Sequence, residues 1–174
     1  MDRVALETER LRLRLFREDD LDAYAAMCAD PEVMRYIGAG GQTLTRAETW
    51  RQIAMLLGHW QLRGYGLWAV EERATGTFVG RVGLYNPEGW PGLECGWALA
   101  RGAWGKGYAT EAARRALAYA FTELGRDHVI SLIRPENTAS IRVAERIGER
   151  LEARTTLLGS EALVYGITRA PVRN

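Results

Sequence analysis

Arg10-Leu11-Arg12-Leu13-Arg14-Leu15 alternates charged and apolar residues without a break. That period of two predicts a half-buried strand, with leucines inward and arginines toward water. Asp19-Asp20 then opens a short helix to about Met27, and Asp30-Pro31 starts another turn or two. After a break at Gly38-Ala39-Gly40-Gly41, Thr45 caps a longer helix from Arg46 to about Leu62, on which Trp50, Ile53, Ala54, Leu57 and Trp60 recur on one face. Strands are predicted over Leu67–Glu72 and Thr77–Tyr85, joined by a tight Ala74-Thr75-Gly76 turn. Asn86–Gly92 is a loop rich in proline and glycine, and a strand over Leu93–Leu99 follows it. Next comes a helix to about Leu124 whose apolar stripe is built largely from alanines (Ala109, Ala112, Ala113, Ala116, Ala120), small enough to let it lie close on a sheet. A buried strand over His128–Ile133 stops before Pro135, and a helix over Thr138–Ile147 is closed by Gly148. Two last strands, about Leu151–Leu158 and Leu163–Thr168, turn over at Gly159-Ser160. Seven strands alternating with helices make an α/β (α+β) chain, a mixed sheet with helices on both faces.

Composition narrows the function by exclusion. With 174 residues, one domain over 1–174 with its own core is expected, without a disulfide or metal staple. A net charge of +1 gives no general attraction to nucleic acid or to an anionic membrane, and no apolar run is long enough to span a bilayer. The start, Met1-Asp2-Arg3-Val4, lacks the apolar stretch of a signal peptide. Two histidines and two cysteines without ligand spacing predict no metal site, and free cysteines suit a reducing, cytoplasmic setting.

The chemistry concentrates in Trp104-Gly105-Lys106-Gly107-Tyr108-Ala109-Thr110, where two glycines flank the only lysine just before the alanine-rich helix. Unpaired N–H groups at a helix start, the positive end of its dipole and nothing bulky nearby form a phosphate cradle. The spacing is not that of a P-loop, because glycine follows the lysine. Nor is it the dinucleotide fingerprint, because Thr110 stands where the third glycine belongs and the next strand ends in Arg134.

Three segments in fixed order add a second signal: Glu94-Cys95-Gly96-Trp97-Ala98-Leu99, the cradle Gly105–Thr110, and Pro135-Glu136-Asn137-Thr138-Ala139-Ser140-Ile141-Arg142. Together they resemble the GNAT N-acetyltransferases, in particular the branch of Rim-type acetylases that modify the N-termini of ribosomal proteins. The likeness runs from Thr8 to Arg169. It implies a GNAT fold, a mostly antiparallel seven-stranded sheet with a V-shaped splay between the Leu93–Leu99 and His128–Ile133 strands, and acetyl-CoA as cosubstrate in that splay. Trp97, Ala98 and Leu99 would flank the pantetheine, with main-chain groups from Trp97 and Leu99. The backbone of Gly105, Lys106, Gly107, Tyr108, Ala109 and Thr110 would hold the pyrophosphate. Lys106 either touches phosphate or sits in solvent, and Asn137 either reaches pantetheine or caps its helix. The family pattern Q/R-x-x-G-x-G/A falls on Trp104, Gly107 and Ala109, with Trp104 departing from it.

The resemblance also implies an amine acceptor, either a protein N-terminus or a small molecule, and no nucleic-acid partner. A homodimer would use the exposed edge strands. An amine attacking a thioester needs its proton removed, and Glu94 is the candidate base, against the plain reading of a solvent-facing strand residue. Where relatives carry a tyrosine acid this chain has Ala144, leaving the Ser140 hydroxyl as the nearest replacement. Where they carry a packed phenylalanine it has Glu149. A catalytically silent CoA-binding module is the rival that the missing tyrosine supports. Cys95 is read as core, His59 and His128 as structural or exposed, and Trp68, Trp90 and Trp97 as packing residues or as walls of the acceptor pocket.

Overall fold

Eight strands form one sheet in the computed structural model, which describes residues 4–170; residues 1–3, at the start expected to carry no signal peptide, and 171–174 lie outside the described part. The strands are β1 (Leu6–Glu7), β2 (Leu11–Arg14), β3 (Leu67–Glu72), β4 (Phe78–Tyr85), β5 (Glu94–Leu99), β6 (His128–Ile133), β7 (Arg150–Leu157) and β8 (Ser160–Thr168). Their order is β1-β2-β3-β4-β5-β6-β8-β7. Every neighbouring pair is antiparallel except β5 and β6, which run parallel and meet in register only at Glu94 and Ile130. The expected seven strands become eight because Leu6–Glu7 pairs with Leu13 and Arg12, a two-residue strand too short to leave a pattern.

The helices are α1 (Leu21–Cys28), α2 (Pro31–Met34), α3 (Arg46–Arg63), α4 (Tyr108–Thr122) and α5 (Thr138–Ile147). Ala112, Ala113, Ala116 and Ala120 of α4 are fully buried in a cluster with Leu11, Leu13, Val70 and Val82 of the sheet. A second cluster joins α1, α2 and α3 to Phe16, Leu67, Ala69 and Ala98. The sheet therefore carries α4 and the α1–α3 group on separate apolar clusters.

Two expectations need correction. On α3 the buried face runs through Thr49, Ile53, Leu56, His59 and Trp60, whereas Trp50 is half exposed and Ala54 faces solvent. Thr49 can be buried because its hydroxyl donates to the Thr45 carbonyl at 2.9 Å, so the stripe includes a polar residue that a purely apolar pattern misses. The arginine row of β2 also does not simply face water. Arg12 is exposed, but Arg14 is buried and places its guanidinium on both oxygens of buried Asp20 at 2.7 and 2.8 Å and on Glu71 at 2.7 Å. Burial is tolerated because both carboxylates lie within hydrogen-bonding distance. Removing one partner strands the other: Arg14→Ala should lower unfolding free energy by roughly 3 kcal/mol or more in urea denaturation.

Candidate active site

The parallel pair opens directly above its single point of registry. Ile130 donates its N–H to the Leu93 carbonyl, and one step further the link is a side chain: the Ser131 hydroxyl reaches the Cys95 carbonyl at 2.7 Å. Leu93 and Cys95 thus aim main-chain groups toward β6. Strand alternation puts those of Trp97 and Leu99 on the same edge, where no β6 residue pairs with them. The Leu99 carbonyl is already in use, accepting the indole N–H of Trp104 at 2.8 Å.

Beyond β5 the chain passes a single 3₁₀ turn, Arg101–Ala103, and enters the glycine bend. Gly105 and Gly107 have φ of 74° and 80°, the left-handed region that glycine enters without a Cβ clash. Gly107 is the N-cap of α4 and offers no side chain to the helix start, so the N–H groups of Tyr108, Ala109 and Thr110 keep no capping partner. A Cβ at Gly105 would meet nothing within 4 Å, so the bend faces open space. Free donors at a helix N-terminus fit a pyrophosphate group.

A cavity of about 490 Å³ runs from this bend to the splay. Trp97, Ala98 and Leu99 line it from β5, and Trp104, Gly105, Gly107, Tyr108, Ala109 and Thr110 line it from the bend. Asn137 and Ser140 close it at the start of α5. Lys106 does not line it; its ammonium lies 3.5 Å from Glu72 and faces the Tyr108 ring. Asn137 caps α5, its Oδ1 accepting the Ser140 N–H at 3.2 Å, which leaves its side-chain NH₂ available to the cavity. The Ser140 hydroxyl accepts the Trp97 indole N–H at 3.1 Å and keeps its own proton to give.

A second cavity of about 370 Å³ lies on the other side of Trp97, Asn137 and Ser140, which line both. Glu94 opens into it. Glu94 Oε2 accepts the Trp90 indole N–H at 2.7 Å, and burial pushes its carboxyl up to about 7, against the downward pull of Trp90, the Leu132 N–H and Arg81. A carboxylate titrating near neutrality is matched to taking a proton from an amine. Tyr85, Trp90 and Trp97 supply aromatic wall, and each of the segments Ile37–Gly38, Trp90 and Leu157–Leu158 contributes a rim. Trp68 does not reach it: it is fully buried and donates to the Val4 carbonyl. Cys95 is buried, and burial holds its thiol well above the ordinary range. His59 is buried and structural, its ring bridging the Tyr65 carbonyl and the Asn86 N–H, whereas His128 is exposed and pairs with Glu152.

Three supporting groups have partners that the sequence does not reveal. Arg10, read as a solvent-facing strand residue, donates to the Lys106 carbonyl at 2.9 Å and pairs with Glu111 at 2.6 Å, clasping the bend to β2. Glu72 accepts the Tyr108 hydroxyl at 2.6 Å and anchors the other side. Glu149, the replacement for a packed phenylalanine, is 2% exposed, lies 2.9 Å from the Ser131 hydroxyl and leaves Oε2 without a partner. No local pattern marks the partners of these groups, because they are distant in sequence; only Glu149 is unusual as a residue type at its position.

A splayed parallel pair with a glycine bend at the mouth defines an acyl-CoA transferase architecture. The profile of the Acetyltransferase (GNAT) domain matches residues 10–150, and the chain belongs to that family. The Bacillus subtilis (strain 168) protein YkkB is 38% identical over 154 residues, covering 84% of this chain and 85% of its own. The N-acetyltransferase p20 of Bacillus licheniformis is 30% identical over 149 residues, with 84% and 83% covered. The crystal structure of an acetyltransferase from Agrobacterium tumefaciens str. C58 superposes with a TM-score of 0.85 at 32% identity, over 97% of this chain and 96% of that one. The fold is that of a GNAT enzyme, and the chain is an acetyl-CoA-dependent N-acetyltransferase.

Proposed function

We propose that the chain moves the acetyl group of acetyl-CoA to a primary amine seated in the 370 Å³ cavity, with Glu94 as the general base. The observation that carries this reading is the pair of cavities meeting at Trp97, Asn137 and Ser140, one ending on free helix N–H donors and the other holding a carboxylate raised to about 7.

Acetyl-CoA supplies the activated thioester; this chain's residues orient it and manage protons. The N–H groups of the Gly105–Thr110 bend would receive the pyrophosphate, and the open edge of β5 at Trp97 would pair with the pantetheine amides. The Trp97 N–H points toward the splay and is placed to stabilise the oxygen that gains charge as the amine adds. Glu94 takes the proton of the attacking amine. Ser140 gives its proton to the departing sulfur, in place of the tyrosine absent at Ala144, which is buried beside Ile133, Leu163 and Tyr165. The Rim-type resemblance favours an α-amine at a protein N-terminus, and a small-molecule amine meets the same chemical demand.

Two measurements test the assignment. Acetyl-CoA at about a hundred times its dissociation constant adds about 2.7 kcal/mol, expected here as a rise in Tm of roughly 5–10 °C. Thiol release from acetyl-CoA should require an added primary amine, tested with peptides, amino acids, polyamines and aminoglycosides. A folded chain with no Tm shift would defeat the cosubstrate assignment. A Tm shift with no thiol release from any amine would favour a silent CoA-binding module.

A further inference from the structure

Four described arginines are buried or half-buried: Arg14, Arg81, Arg115 and Arg134. Arg14 holds Asp20 and Glu71, Arg115 pairs with Glu123, and Arg134 donates to the carbonyls of Leu157, Glu161 and Gly38. Of these four only the half-buried Arg81 has no ion pair within 4.0 Å; its hydrogen-bonding neighbour is the neutral Tyr24 phenol of α1. A half-buried guanidinium that meets one phenol keeps most of its five donors and has lost part of its hydration without an ion-paired carboxylate to replace it.

Its position is specific. Arg81 lies on β4 opposite Ala98 of β5 and Ala69 of β3, two small buried neighbours. Glu94 lies four residues along β5 from Ala98, so Arg81 and Glu94 stand on the same face of the sheet and line the same cavity. Between them on β5 is Gly96. A methyl added there would stand 3.8 Å from Glu94 Oε1 and 3.9 Å from Leu67 Cδ2, so its bare backbone leaves a floor for a ligand. Other groups facing Arg81 are the Tyr24 phenol and Cys28 thiol of α1 and the Tyr85 phenol, none of which is anionic at neutral pH.

From this juxtaposition we infer that the acceptor is an amine carrying a carboxylate, with its amine at Glu94 and its carboxylate on the Arg81 guanidinium. The inference rests on the acetyltransferase reading and narrows it. Four residues of strand, about 13 Å, separate Glu94 from Ala98, the β5 residue opposite Arg81, and the reach of both side chains along this face shortens the charge separation to the scale of an amino acid. Tyr85, opposite Glu94, and Trp90 line the Glu94 end of the same cavity with aromatic surface. Two sources present this chemistry, a free amino acid and a peptide N-terminus whose first side chain is acidic.

The test compares kcat/KM by thiol release for matched amines that differ only in charge. One arm sets free amino acids, with one to four carbons between amine and carboxylate, against their primary amides. The other sets Asp-Ala-amide against Asn-Ala-amide. In one of the two arms the acid should be preferred by at least about thirtyfold, the scale of one charge-assisted bidentate pair. In Arg81→Gln that ratio should collapse toward one, and in Arg81→Lys it should recover in part. The acetyl-CoA Tm shift shows that each variant is folded. Acids and amides used equally, with the Tm shift intact, would overturn the Arg81 inference and leave the acetyltransferase reading standing. A ratio unchanged in Arg81→Gln would do the same. If no amine in either arm is acetylated and calorimetry on the protein with CoA detects neither acids nor amides, while polyamines or aminoglycosides are turned over, the Arg81 inference falls and the acetyltransferase reading stands.

Discussion

Replacing Glu94 by Gln is expected to slow acetyl transfer by about two to four orders of magnitude, the range removed with a positioned general base. Gln keeps the shape and one oxygen, so the Trp90 indole at 2.7 Å can still be satisfied, and the acetyl-CoA site beyond Trp97 keeps its lining. The Tm shift with acetyl-CoA should survive. The pH profile gives the sharper readout. Burial raises the Glu94 carboxyl to about 7, and a base works only when deprotonated, so kcat/KM in the native enzyme should fall as pH drops through that value. In Glu94→Gln that acid limb should vanish. Turnover that stays unchanged, or an acid limb that persists, would take Glu94 out of the mechanism.

What the sequence could reveal about this site depended on how local each signal is. The cradle was legible because its parts are contiguous: two left-handed glycines, then a helix without a side-chain cap. The fold was legible for a related reason, since strand alternation and the alanine stripe repeat within one element and record which face is buried. The clasp was not. Arg10 reads as one more charge in an alternating strand, and only the pairing of β2 with β3 and the packing of α4 bring it to Lys106, 96 residues away. The same limit hid Arg14 and misread α3: Asp20 and Glu71 make burial of an arginine possible, and the Thr45 carbonyl makes burial of Thr49 possible, neither of which is visible in an apolar count. At Glu149 the unusual residue was visible, but its proton is a property of three elements together.

That proton leads to the second large effect. The Ser131 hydroxyl lies 2.7 Å from the Cys95 carbonyl and 2.9 Å from Glu149 Oε1, yet it has one hydrogen. The carbonyl can only accept, so Ser131 donates to Cys95 and the Glu149 carboxyl must supply the second hydrogen. Glu149 is therefore held neutral. Burial favours this, raising its pKa to about 8, and the charges of Glu94 and Glu152 add to the rise. In the unfolded chain a glutamate loses its proton near 4.3. Between roughly pH 4.3 and 8 the folded chain keeps a proton that the unfolded chain has released, so stability must fall as pH rises, by about 1.4 kcal/mol per unit. The stabilisation is complete below the unfolded pKa and lost through the folded one, up to roughly 5 kcal/mol in all. Glu149→Gln imitates the neutral acid, its amide donating to Ser131, and removes the titration. Urea midpoints from pH 5 to 9 should show the variant close to the native chain at pH 5 and clearly more stable at pH 8 and above. A shallower fall should remain, ending near pH 7, because Glu94 also folds with a raised pKa; the double variant Glu94→Gln/Glu149→Gln should flatten it further. A native chain whose stability does not decline over this range, with Glu149→Gln weaker at every pH, would mean that Glu149 is ionised when folded. The hydroxyl of Ser131 would then turn from Cys95, and the strand splay would lose its side-chain link.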